Sequence, residues 1–277
     1  KMKSATFEIG FAPGDLNLTN KQILNWLENS AHIVTKYYDR FPVKNVKILI
    51  VPNNGQGIQG GQTFGYRGAA IRLFVGKNSS EVHLKRDWVA IHEMIHLALP
   101  QVKLKHYWLA EGLAVYVESI ARVQAGQLNE QQIWADFMRD MPKGLPGEYD
   151  KGLDYTPTWG RRYWGGAMFC LLADIEIRKQ TNNKKGLQHA LKAIISNGGN
   201  YEKHWPIEKI LKTADQATGT NVLSSLYKKM HNAPTKPDLD ALWSKLGISK
   251  SKDKIIIDDN APLSPIRKAI ITKDGTA

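Results

Sequence analysis

The residues with the strongest claim to chemistry are His92, Glu93 and His96, in the stretch HEMIH. On a helix, residues four apart share a face, so both imidazoles can address one ion. Glu93 projects about 100° round the axis, beside such an ion rather than on it, where a base that takes a proton from water belongs. The same spacing also suits three polar residues of an ordinary helix. The flanking WVAI and LAL carry no polar side chain except the indole N–H, so the helix is expected to be buried and to end before Pro100. Burial favours the metal, because unpartnered imidazoles and carboxylates are costly to desolvate and one cation satisfies all three.

A catalytic zinc takes three protein ligands and leaves a position open. The stretch HYWLAEGLAVYVES at 106–119 offers Glu111, the fifteenth residue after His96, which leaves enough chain for a second helix to run back past the first. Its neighbours Trp108, Leu109, Leu113, Ala114, Tyr116 and Val117 predict a helix apolar on most sides. Glu118 falls on the face of Glu111 and is either a hydrogen-bond partner of a ligating histidine or a solvated helix carboxylate. Hydrolysis also needs a donor for the developing oxyanion. GRRYWGGAMFCLLADIEIRKQT at 160–181 offers Tyr163, with Arg161 and Arg162 beside it, although on residues alone it is one of ten tyrosines and core packing is the simpler account. Gly165 and Gly166 each cost a helix about 1 kcal/mol relative to alanine, which is expected where another element approaches closely.

The elements that must position these groups are legible in outline. KSATFEIGFAPGD alternates like a strand and stops at Pro13-Gly14; a helix follows, with Asn20 as its N-cap, until Pro42. VKILIVP reads as a buried strand. NNGQGIQGGQTFGYRG holds six glycines and is expected to form no regular element, before a strand AAIRLFVG at 69–76. Helices are then expected at 85–98, 107–125, 130–140, 159–180, 185–196, 206–216, 221–231 and 238–246. The tail KIIIDDNAPLSPIRKAIIT is expected to form two short strands, and HNAPTKPD a linker. Sheet first and helices after predict an α+β fold with a sheet lobe over 1–98, a helical lobe over 99–235 and a small C-terminal part over 236–277, all one catalytic unit.

Composition narrows the classes. The chain has 277 residues, 42% hydrophobic and 23% charged, the profile of a folded globular protein. Its longest apolar runs fall short of the ~18 residues of a membrane span. The net charge of +12 is scattered, and no nucleic-acid motif accompanies it, so no nucleic-acid partner is expected. Cys170, the single cysteine, sits in an apolar run and reads as a buried structural thiol. Residue 1 is Lys rather than Met, so the chain is expected to be processed or trimmed; the location expected is periplasmic or secreted, with a cytoplasmic one as the alternative.

Taken together, these motifs resemble the gluzincins, zinc peptidases whose third ligand is a glutamate. WLAEGLAVYVE is similar to the aminopeptidase branch, where the helix carries the third ligand, here Glu111, and a supporting glutamate, here Glu118. YWGGAMFCLLADIEIRKQT is similar to the tyrosine helix of that branch, especially in the glycyl aminopeptidase family, which makes Tyr163 the transition-state donor. The resemblance covers roughly residues 60–190. It implies a thermolysin-like unit with the active-site cleft between a sheet lobe and a helical lobe, one zinc ion, and a peptide or protein substrate bound along the sheet's edge strand. AAIRLFVG is the expected edge, so Ala70, Ile71 and Arg72 are candidate substrate contacts. Gly60, Gly61 and Gln62 of the glycine-rich segment join them, unless that segment is a structural hairpin. Three departures from the branch are visible. The interval from His96 to Glu111 is short, Gly165 stands where lysine is usual, and GGQTFG has Gln62 and Thr63 where the aminopeptidases carry an amine-holding glutamate. The resulting expectation is zinc-dependent hydrolysis of peptide bonds, exo- or endo-acting. The alternatives are a zinc-containing peptide-binding protein and a zinc hydrolase of a small non-peptide substrate.

Overall fold

Val46, Ile48 and Ile50 alternate with Lys47, Leu49 and Val51, and this period of two places the first set on a buried face and leaves Leu49 41% exposed. In the computed structural model, which describes residues 5–252 and 254–273, this segment is β2 (Asn45–Asn53), buried on one face rather than on both. It lies second in a four-stranded sheet of order β1-β2-β4-β3, with β1 (Thr6–Phe11), β3 (Ile58–Phe64) and β4 (Ala69–Gly76). Lys3 and Ser4, expected at the start of the first strand, lie outside the described residues. β1, β2 and β4 run parallel, and β3 is antiparallel to β4 with Gln62 opposite Arg72 and Thr63 opposite Ile71.

Two expectations are corrected by the sheet. The glycine-rich segment contains a regular strand, β3, and that strand, not β4, is an edge of the sheet, β1 being the other; β4 is hydrogen-bonded on both sides. The reason is non-local. β3 has little strand propensity of its own and is held by the ladder to β4 through a turn in which Arg67 and Gly68 adopt positive φ.

The chain divides into two compact units. One runs to Gln101 and includes Gly198–Trp205; the other takes Val102–Asn197 and the residues from Pro206 on. In the first, α1 (Asn20–Tyr38) is capped by Thr19, not Asn20: Thr19 Oγ1 accepts from the Gln22 amide at 3.3 Å, and Gln22 Oε1 accepts from the Thr19 amide at 2.8 Å. It ends at Asp39, in the left-handed region, ahead of Pro42. The single helix expected over 85–98 is two, α2 (Glu81–Arg86) and α3 (Val89–His96). Asp87 makes the break. Its carboxylate accepts from the amides of Val89 (2.9 Å) and Ala90 (3.0 Å), capping α3, and from the Trp26 indole of α1 at 3.1 Å. α3 packs on α1 and β3.

In the second unit the expected helices form: α4 (Tyr107–Gln124), α5 (Glu130–Asp140), α6 (Gly166–Gln180), α7 (Leu187–Ser196), α8 (Ile207–Thr218), α9 (Val222–Met230) and α10 (Leu239–Leu246). A π-helical stretch, Arg161–Gly165, leads into α6. α4 and α6 cross backbone to backbone: a Cβ on Gly112 would sit 2.1 Å from the Gly166 carbonyl carbon, and one on Gly166 2.1 Å from the Trp108 carbonyl oxygen. Close approach at Gly166 is therefore the use of the costly glycine. The tail is corrected too. KIII forms β6 (Lys254–Ile257), paired with β5 (Ile248–Ser251), but SPIRKAII is a helix, α11 (Ser264–Ile271), whose Ile266, Ala269 and Ile270 recur at helical spacing on its buried side. Among the described residues, no helix is long and apolar enough to cross a membrane.

Candidate metal centre

α3 is eight residues long and buried throughout, so it owes its stability to packing and to the Asp87 cap rather than to propensity. His92, Glu93 and His96 are 4%, 7% and 6% exposed. The two imidazole centroids lie 4.8 Å apart with rings at 88°, and the Trp88 ring meets His92 edge-on at 5.5 Å. Glu93 turns toward the sheet. Its Oε2 accepts from the Thr63 hydroxyl at 2.6 Å, and the same hydroxyl lies 2.9 Å from the Glu93 backbone carbonyl. Beyond α3 the segment 198–205 returns: the Tyr201 amide donates to Leu97 O at 3.1 Å and the Tyr201 ring lies 6.5 Å from that of His96. Neither Thr63 nor Tyr201 carries a local signal of these contacts in the sequence.

On α4, Glu111 is 6% exposed and precedes Gly112, the crossing point with α6. The start of that helix is fixed by Asp154, a side chain with no exposed surface. It lies 3.0 Å from His106 Nδ1, accepts from the Trp108 indole at 2.7 Å and accepts from the Tyr227 hydroxyl at 2.9 Å. Burial, and then the bond to Asp154, push the Tyr227 pKa well above its ordinary value. Further along α4, Glu118 is buried rather than solvated, and accepts from Arg122 at 2.6 Å and Ser119 at 3.1 Å. Tyr116 donates to Asp174 of α6 at 2.9 Å, and Asp174 also takes Arg178 Nε and the Leu187 amide, each at 2.9 Å. Cys170 is buried as expected, and burial followed by Asp174 raises its thiol pKa far beyond the reactive range.

Tyr163 sits in the π-helical stretch, half-buried, with its ring stacked on that of Trp159 at 5.6 Å and 23°. Insertions of this kind are frequent at functional sites, because the wider turn re-aims a side chain. Arg161, beside it, serves the scaffold: it is 3% exposed, pairs with Asp150 at 2.7 Å and donates to Gly144 O at 2.6 Å. Burial lowers its pKa, against the pull of Asp150.

One ligand atom from each of His92, His96 and Glu111 lies within 4.8 Å of the others, and all three residues are buried. Two imidazoles and a carboxylate make up the donor set of a catalytic zinc with three protein ligands. The candidate substrate contacts fall apart by strand. Gly60, Gly61 and Gln62 lie on the edge strand β3, with Gln62 Oε1 accepting from Arg72 at 2.7 Å, whereas Ala70, Ile71 and Arg72 lie on the interior strand β4.

No family model matches the sequence, and no curated protein matches it. Solved structures do match in fold. An aminopeptidase N family protein from Idiomarina loihiensis superposes with a TM-score of 0.67 at 14% identity, over 89% of this chain and 48% of its own. An M1 zinc metallopeptidase from Deinococcus radiodurans gives 0.55 at 15% identity, over 86% and 51%. A mutant of that metallopeptidase bound to the substrate Tyr-Ser-Ala gives 0.52 at 14%, over 83% and 49%. The likeness shows an α+β fold shared with M1 zinc metallopeptidases, and the chain spans about half the length of the structures it matches.

Proposed function

We propose that this chain is a zinc-dependent peptidase in which His92, His96 and Glu111 hold one zinc ion, Glu93 is the general base and Tyr163 the oxyanion donor. The observation that carries the reading is the buried group of two imidazoles and one carboxylate with ligand atoms within 4.8 Å, in a chain whose structural neighbours are zinc metallopeptidases. A zinc ion held there would supply Lewis acidity and bring the pKa of water down toward about 7.

The chain's own groups do the rest. Glu93 takes a proton from the attacking water and returns it to the leaving amine. The Tyr163 hydroxyl donates to the oxygen on which negative charge develops. Glu118, tied to Arg122, supports the ligand helix α4 in this reading. An extended peptide is the substrate class, as in the neighbour bound to Tyr-Ser-Ala, and β3 with Gly60, Gly61 and Gln62 is the strand along which it would align. A thermolysin-like catalytic arrangement and a kinship with the glycyl aminopeptidases belong to the same proposal.

The test is a purified protein assayed for zinc content and for cleavage of a broad peptide library, with and without a chelator. Glu93→Gln is expected to keep zinc and lose turnover by about 10²–10⁴-fold, the usual contribution of a general base. Turnover retained in Glu93→Gln refutes the base assignment, and a protein that takes up no zinc refutes the centre.

A further inference from the structure

Glu93 is seated against β3 at two points. The first is its tip, where Oε2 accepts from Thr63 Oγ1 at 2.6 Å. The second is its stem. A Cβ built on Gly61 would lie 2.5 Å from Glu93 Cγ and 2.9 Å from Cδ, closer than side chains approach. Gly61 does not have a positive φ, so its backbone makes no demand for glycine; the space occupied by Glu93 does. Gly61 and Thr63 are two apart in a strand and so share a face, one giving a bare slot for the methylenes and the other a donor for the oxygen. Thr63 is 8% exposed, and its hydroxyl also lies 2.9 Å from the Glu93 carbonyl, so its single proton serves one of two acceptors of the same residue.

We propose that Thr63 and Gly61 are positioning residues for the general base, holding the Glu93 carboxylate in one orientation. The inference rests on the reading of Glu93 as that base. A glutamate has three torsions, and without both contacts its carboxylate samples other rotamers. A reacting group displaced by about 1 Å costs on the order of 10²-fold in rate.

Thr63→Val keeps the branched shape and the strand but removes the hydroxyl. In the zinc-loaded enzyme it is expected to lower kcat by about 10- to 100-fold with KM within about two-fold, and Thr63→Ser is expected to restore most of the loss. Gly61→Ala is expected to lower kcat likewise with unchanged zinc content. Crystals of wild type and Thr63→Val supply a readout that needs no turnover: the Glu93 carboxylate is expected to leave its place on β3 in the variant. If wild type cleaves peptides and Thr63→Val matches it in kcat, or Ser fails to restore what Val loses, the positioning role is overturned while the peptidase reading stands. If wild type cleaves nothing, the peptidase reading fails on its own. The crystals then decide the seating, and a carboxylate that stays in place in Thr63→Val overturns it.

Discussion

Tyr163 is the residue on which the proposed oxyanion donation rests. Its ring is stacked on Trp159, and that contact survives removal of the phenolic oxygen. On the proposed role, Tyr163→Phe should lower kcat by about 10²–10³-fold, the loss seen when one oxyanion donor is removed, with KM little changed. Steady-state kinetics check this, and an unchanged kcat leaves Tyr163 a packing residue stacked on Trp159. At this scale the sequence named the candidate groups and not the side chains that hold them. HEMIH and WLAEG announce their side chains by type and spacing. The partners Thr63 of Glu93 and Asp154 of Trp108, 30 and 46 positions away, have no local signature.

Among the elements, the helix α3 depends on a residue outside it. Asp87 closes two of its first amides and takes the Trp26 indole of α1. Asp87→Ala should destabilise the protein by about 1–2 kcal/mol through the lost cap, with more from the unpaired indole, and chemical denaturation should show it as a lower midpoint at an unchanged slope. The crossing of α4 and α6 has a different vulnerability. Gly166→Ala puts a methyl 2.1 Å from the Trp108 carbonyl oxygen, so the helices that carry Glu111 and follow Tyr163 must separate. Overpacking of this kind costs about 1–3 kcal/mol, and a thermal melt should register the loss; a variant as stable as wild type would mean that the backbones have slack. The helices of the second unit were legible because their 3.6-residue period is written in consecutive residues. The break at Asp87 was not, because a carboxylate that caps and one that points to solvent look alike in a sequence.

For the whole molecule, a zinc ion that binds the folded chain and not the unfolded one adds stability by mass action, about 4 kcal/mol at a thousand-fold excess over its dissociation constant. Removing zinc with a chelator should lower the melting temperature and abolish cleavage together, and added zinc should restore both. In His92→Ala the chelator should shift the melt far less. A chelator-insensitive melt in wild type would count against a zinc site.

The sequence by itself determined the candidate donor side chains, their placement on two helices and the helical order of the second unit, because each is written in the types and periods of nearby residues. Tertiary structure decided that a glycine-rich stretch is an edge strand, that β4 is interior, and that Thr63 and Gly61 lie against the Glu93 side chain. It also decided that Asp154 anchors the start of α4. These outcomes depend on ladders and buried polar bonds between distant parts of the chain. A strand such as β3 exists because of what pairs with it, and neither composition nor period records its partner.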